Sequence, residues 1–209
     1  MQYRDDTRRT RVLSFDRNSF NDACAALMNI VSEDRVPDVL IGIRTGGMHV
    51  ADAMARALRT TPRVLPITCR RPSTKRKPTA NFAKSLVATL PRPLLDSLRV
   101  VEHALLTRSR PAAPTEPYRF DAAELAGLDS WAASAGRAPF LLVVDDAVDT
   151  GATLAKVLET LRNRMPPAAI VRSAVITVTT EQPLAFPDYH LLRRQLCRFP
   201  WSLDAKVAA

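Results

Sequence analysis

An α/β fold with a mainly parallel central sheet is predicted for this chain by three observations. Two short runs, VLIGI at residues 39–43 and FLLVV at 140–144, are apolar without interruption, as strands buried on both faces of a parallel sheet are. Each empties at once into glycine and small polar residues, RTGG after the first and DDAVDTGAT after the second. A helix-forming stretch follows each turn, and strand, turn and helix in succession is the rhythm of α/β architecture.

Taken in order, RVLSF at residues 11–15 reads as a short strand. Residues 20–31 follow as a helix, with Ala23, Leu27 and Ile30 spaced for one face. After Pro37 comes the VLIGI strand, then a helix through VADAMARALRT until Pro62 breaks it, then RVLPITC as another strand. Residues 70–84, RRPSTKRKPTANFAK, are basic and aperiodic and read as a loop. Residues 94–106 are expected to be helical, PAAPTEP to be a rigid connector, and 121–135 to be helical again. FLLVV is then a strand ending at Asp145 and Asp146, residues 151–164 a helix, and AIVRSAVITVTT a further strand. The tail from Glu181 reads as irregular. The chain thus divides into a first part of the core at 1–69, a basic loop and helical insertion at 70–138, a second part of the core at 139–180 and a C-terminal tail at 181–209. The insertion is too long for an ordinary connection.

Composition bounds the function without choosing it. The 209 residues, 46% apolar, suffice for one sizeable core. No run reaches the roughly 18 apolar residues of a membrane span, and the charged N-terminus has no apolar stretch of the secretory kind. Cys24, Cys69 and Cys197 are odd in number and widely spaced, which suits neither a disulfide framework nor a metal cluster and suggests a cytoplasmic protein. A formal charge of +9 suits anionic partners, small phosphates and nucleic acid alike.

The DDAVDTGAT turn carries the chemistry. In an open parallel sheet, ligands bind outside the carboxyl ends of strands, where Asp145 and Asp146 stand. Through Asp149, Thr150, Gly151, Ala152 and Thr153 the chain turns into a helix. Backbone N–H groups and the helix dipole favour an anion there, and the hydroxyls of Thr150 and Thr153 add donors. A phosphate fits this turn, and the aspartates suit sugar hydroxyls or Mg²⁺ beside a polyphosphate. The bland alternative is a helix cap by Asp149 or Thr150, which accounts for one such residue and not for three carboxylates.

VVDDAVDTGAT resembles the phosphoribosyl pyrophosphate (PRPP) binding motif of the type I phosphoribosyltransferases, with Ala147 where a larger aliphatic residue is usual. The resemblance implies that family's fold: a central mainly parallel sheet flanked by helices, a small hood and an inserted helical and loop segment. It implies that Asp145 and Asp146 hold the ribose hydroxyls, directly or through metal-bound water. Residues 149–153 would wrap the 5′-phosphate, Asp149 would assist proton handling on a base, and Mg²⁺ would be the cofactor. IGIRTGGMHV is similar to the turn that cradles pyrophosphate in the family, through Arg44, Thr45, Gly46 and Gly47, with a cis peptide expected before Thr45. Its order of Arg44 then Thr45 looks more like the uracil-type, pyrimidine-regulator branch. FPDYHLLRRQLCRFPW resembles the hood of bacterial xanthine- and guanine-type enzymes. That likeness leaves Tyr189 as a contact for the acceptor base, as plain packing or as part of an interface, with Trp201 sealing the hood to the core. The lysine that reads a 6-oxo group after the following strand is absent. Thr179, Thr180 and Gln182 stand nearby, and Thr179 is the candidate base contact.

The implied reaction moves the phosphoribosyl group of PRPP to a nitrogen acceptor, expected to be a purine-type base, and releases pyrophosphate. Catalytic work would fall to Asp149, Arg44, Asp145 and Asp146, and the family implies a homodimer. The basic run RRPSTKRKP would be a lid closing Lys75, Arg76 or Lys77 over pyrophosphate, a solvated surface, a nucleic-acid patch or a protein-binding segment. His49, in the first turn of its helix, suits packing. With His103 and His190 it forms no pair at metal-ligand spacing, and no nucleophile stands beside Asp188 and His190. The competing class is a PRPP- or nucleotide-sensing regulator on the same fold that binds RNA or a partner protein.

Overall fold

The computed structural model describes residues 12–60, 62–70, 118–135 and 138–202. The helix expected at 94–106 and the basic run with Lys75, Arg76 and Lys77 lie outside the described residues.

The chain opens with β1 (Val12–Ser14) and α1 (Arg17–Asp34). Asp16 starts the helix through a reciprocal cap: its carboxylate accepts the Ser19 N–H at 2.7 Å, and the Ser19 hydroxyl accepts the Asp16 N–H at 3.0 Å. The buried face of α1 is Phe20, Ala23, Cys24, Leu27, Met28 and Val31, a 3- and 4-residue spacing. Ile30, expected on that face, is one position off it and 38% exposed.

Next come β2 (Val39–Ile43), α2 (Gly46–Arg56) and β3 (Arg63–Ile67). A short antiparallel pair, β4 (Cys69–Arg70) with β5 (Arg119–Phe120), leads into α3 (Ala122–Ser134). Then follow β6 (Phe140–Val148), α4 (Ala152–Arg164), β7 (Ile170–Val178), β8 (Tyr189–Arg193) and β9 (Leu196–Arg198). Five strands form one parallel sheet in the order β3-β2-β6-β7-β8. Alternate residues of its strands feed two cores. Leu40, Leu142, Val144, Ala174 and Ile176 pack against α1 and α2. Ile41, Leu141, Val143 and Val175 pack against Leu128 of α3 and Leu154, Val157, Leu158 and Leu161 of α4. An ion pair between Arg164 and Asp129 joins α4 to α3.

Two expectations need correction. β6 does not end at the carboxylates but continues through Asp145 and Asp146 to Val148, because its ladder with β7 runs on through Asp145↔Val175, Ala147↔Thr177 and Val148↔Val178. The tail is not an irregular appendage: β8 is the edge strand of the main sheet, with Ala174↔Tyr189 and Val178↔Arg193 in register. Only β9 leaves it, pairing in parallel with β1. Trp201 lies beyond, stacked on Phe199 at 4.9 Å and on His49 at 4.4 Å and edge-on to Phe20 at 4.9 Å. Trp201 thereby seals the tail to α1 and α2, and His49 packs as its position suggests.

Candidate active site

β2 and β6 are neighbours, with Gly42 opposite Val144, so the turns that follow them open side by side at the carboxyl edge of the sheet. The two turns touch. A Cβ on Gly46 would lie 2.0 Å from an Asp146 carboxylate oxygen, and one on Gly47 would lie 2.3 Å from the Val144 carbonyl. Only glycine lets α2 begin against the end of β6. The Arg44–Thr45 peptide is cis, at the bond where the resemblance places it. Thr45 precedes α2 without capping it by its side chain.

Asp145 and Asp146 are half-buried. Asp145 Oδ1 accepts the Asp146 N–H, and Asp146 Oδ1 the Ala147 N–H, both at 2.9 Å. Burial, with the Asp146 charge next, pushes Asp145 well above the usual carboxylate range. Burial also raises Asp146, against the hydrogen bonds it accepts. Two carboxylates that resist ionising together suit a partner that brings positive charge or donates hydrogen bonds.

Asp149 does not cap α4. Its Oδ1 accepts the Thr179 hydroxyl at 2.5 Å, and its carbonyl accepts the Thr180 hydroxyl at 2.8 Å. Gly151 is the residue before α4, at φ 73°, with no side-chain cap, and the Thr150 hydroxyl meets the Ala152 N–H at 3.5 Å. Gly151 rather than Asp149 thus holds the cap position, and the helix start with Thr153 in its first turn keeps the form of an anion-binding terminus. The tightness at Gly151 has a different cause from crowding of a ligand: a Cβ there would lie 2.7 Å from the Ala185 nitrogen. The Leu184 N–H also donates to the Thr150 carbonyl at 2.8 Å. The segment before β8 is thus laid against the turn.

Arg44, Thr45, Gly46, Gly47, Asp145, Asp146, Asp149, Thr150, Gly151, Ala152, Thr153 and Thr179 all sit at this edge of the sheet. The two candidate base contacts, Tyr189 and Thr179, are both nearly buried. Tyr189 is 8% exposed and packs in the core under α1. Its hydroxyl donates to Asp34 at the end of α1 at 2.6 Å and accepts from Arg172 at 2.5 Å, so it ties the sheet edge to α1. Thr179 is 7% exposed with its hydroxyl turned to Asp149, and acts on that carboxylate rather than as an open contact. Cys24 and Cys197 are poor nucleophiles, because burial pushes both thiols up to about 12.

Sequence reasoning missed Glu124. From the first turn of α3 its carboxylate accepts Arg44 Nε at 2.8 Å and the Thr68 N–H at 2.5 Å. The pattern DAAEL announces a helix start, but nothing in it points to an arginine 80 residues earlier.

Comparison with protein-family models finds no match, and neither does comparison with curated proteins. Solved structures do match. A purine phosphoribosyltransferase from Pyrococcus horikoshii is 19% identical, over 91% of this chain and 94% of that one, with a TM-score of 0.55. A Helicobacter pylori xanthine-guanine-hypoxanthine phosphoribosyltransferase is 18% identical, over 93% and 96%, at 0.56. A hypothetical protein from Neisseria gonorrhoeae with bound ppGpp is 15% identical, over 95% and 93%, at 0.57. At such identities the likeness speaks for architecture, and together with the parallel sheet and its flanking helices it gives this chain the type I phosphoribosyltransferase fold.

Proposed function

We propose that the chain transfers the 5-phosphoribosyl group of PRPP to a nitrogen acceptor, a purine-type base, and releases pyrophosphate. The observation that carries this reading is the meeting of the two turns, with Asp146 seated against Gly46 at the carboxyl ends of adjacent strands. One turn offers a helix start to the 5′-phosphate, the other offers Arg44 and glycine amides to pyrophosphate, and the paired carboxylates stand between.

The anomeric C–O bond to pyrophosphate breaks as the C–N bond to the acceptor forms, and its breaking builds positive charge on the ribose and negative charge on the departing pyrophosphate. Such chemistry needs geometry and fixed charge rather than a covalent nucleophile. Asp145 and Asp146 accept the ribose hydroxyls as hydrogen-bond donors and so fix the sugar. Arg44 faces the developing charge on pyrophosphate. Asp149, oriented by Thr179, takes the proton of the acceptor nitrogen. The donor set fits Mg²⁺, a hard cation commonly held by one or two carboxylates with substrate phosphates completing its shell. Among the described residues no group of three or more ligands forms, so Asp145 and Asp146 would share the ion with the substrate's own oxygens. When bound, the ion supplies charge stabilisation to the leaving pyrophosphate.

The test is calorimetric titration with PRPP and Mg²⁺, with pyrophosphate release measured over a panel of purines and pyrimidines. Replacing Asp145 and Asp146 together by asparagine is expected to lower turnover at least about 100-fold in a folded protein, the scale of lost transition-state electrostatics. Unchanged turnover removes the pair from the mechanism. PRPP binding without transfer to any base would turn the reading to the sensing regulator.

A further inference from the structure

The side chain nearest to the proposed pyrophosphate turn that its two motifs leave unexplained is Glu124. Asp121 caps α3 by accepting the N–H groups of Ala123 at 2.9 Å and Glu124 at 3.1 Å, which fixes the turn that carries it. Leu128 is buried beneath, with Leu125 and Trp131 packed on the same core. The β4–β5 pair brings this helix start to the end of β3. The Glu124 carboxylate, 14% exposed, accepts three donors: Arg44 Nε at 2.8 Å, the Thr68 N–H at 2.5 Å and the Thr68 hydroxyl at 3.2 Å. Arg44 is 53% exposed. This is no loose surface ion pair, because one partner is held rigid by two elements.

We propose that Glu124 is a positioning residue, which grips Arg44 by its Nε–H and presents the two terminal NH₂ groups of the guanidinium to the pyrophosphate of the donor. It rests on the function proposed above. The geometry of the guanidinium carries the argument. Its donors lie in one plane in a fixed fork, so a carboxylate on the Nε edge sets the direction of the terminal groups. Lysine has no second edge to be held by. The Thr68 bonds anchor Glu124 to the residue that links β3 to β4, so Arg44 is aimed from the carboxyl end of β3.

The sign of one measurement separates positioning from mere charge. A carboxylate 2.8 Å from Arg44 weakens the positive field felt by an anion. If charge alone mattered, Glu124→Gln would tighten binding of inorganic pyrophosphate with Mg²⁺. Positioning requires the opposite: binding weaker by about tenfold, the factor for one long side chain set loose. In an Arg44→Gln background the same substitution is expected to change nothing further, as a residue acting through Arg44 must. Affinity unchanged or tightened in Glu124→Gln overturns the role, and so does equal weakening without Arg44. Should Glu124→Gln fail to fold, Arg44→Lys keeps the charge and leaves Glu124 on Thr68. It is expected to lose the same tenfold, and unchanged affinity there overturns the proposal. A parent protein that binds neither PRPP nor pyrophosphate overturns the phosphoribosyl reading and this role together, whereas pyrophosphate binding indifferent to Glu124 overturns this role alone.

Discussion

Asp145 stands where ionisation is disfavoured, and that position has a measurable cost. Its carboxyl is raised well above the usual 3.8 by burial and by the Asp146 charge, so between that usual value and the higher folded one the folded state holds a proton that the unfolded chain has released. Stability from this group is complete below about pH 3.8 and is lost as pH rises through the higher folded value. Asp145→Asn keeps an acceptor for the Asp146 N–H and removes the titrating carboxyl. It is expected to melt higher than the parent at neutral pH, by about 2–4 °C for each kcal/mol relieved. The gain should vanish as the pH is lowered toward 3.8. Thermal melts across that range check it, and an equal gain at every pH would assign the effect to packing. At the same scale, Tyr189→Phe is expected to cost about 1 kcal/mol in chemical denaturation through its lost hydrogen bonds and to leave PRPP affinity alone. The three aspartates and the glycine pair stood out in the sequence because each belongs to a short local motif, DDAVDTGAT or RTGG, although their contacts in the fold reach 30 residues from Asp149 to Thr179 and across the chain from Gly46 to Asp146. Glu124 did not, since no such motif marks it and its partner lies 80 residues away. For Tyr189 the sequence left base contact, packing and interface open, because a likeness along the string does not say which neighbours surround the ring, and the ring is packed in the core.

At the scale of elements, the turn before α4 is held by the backbone it touches. Gly151 combines φ 73° with the Ala185 backbone at 2.7 Å from any added Cβ. Gly151→Ala is therefore expected to destabilise the fold by about 1–3 kcal/mol, from left-handed strain and contact together. Denaturation will register this before any ligand is added. A weakened phosphate site in a valine variant would thus report on the turn and the segment at 184–185 jointly. The interior strands could be read from sequence because burial on both faces leaves them wholly apolar, as VLIGI and the start of β6 are. YHLLR of β8 escaped because an edge strand has one hydrogen-bonded neighbour and shows polar residues to solvent. The extension of β6 through its carboxylates escaped for a related reason: pairing with β7, not composition, carries the strand onward.

For the whole molecule, the tail acts as a clasp between the first and last parts of the chain. β1 pairs with β9, the Phe15 N–H donates to the Arg198 carbonyl at 2.8 Å, and Phe15 stacks on Phe199 at 5.8 Å. Trp201, half-buried, joins this cluster to His49 in the first turn of α2. Trp201→Ala is expected to lower stability by about 2 kcal/mol, half the usual figure for a large buried aromatic, with an unchanged denaturant slope. The α/β class and its order of elements were readable because local periodicity encodes them. The pairing of β1 with β9 was not, because short strands such as Val12–Ser14 and Leu196–Arg198 have no pattern of their own.

The seam between β2 and β6 sets how this chain can be born. The Asp38 N–H donates to the Phe140 carbonyl at 2.9 Å and the Asp38 carboxylate accepts the Phe140 N–H at 2.8 Å, across 102 residues of sequence. That seam runs through the middle of the sheet, so the first half of the chain contains no finished sheet. At roughly 5–20 residues per second, a ribosome leaves the inner edge of β2 uncovered for roughly 5–20 s. The strand waiting there is wholly apolar, and closing so long a loop is slow even when the residues have arrived. A pause of synthesis between residues 43 and 140 is therefore expected to raise the risk of aggregation through the uncovered β2 edge more than a pause after β6 is made.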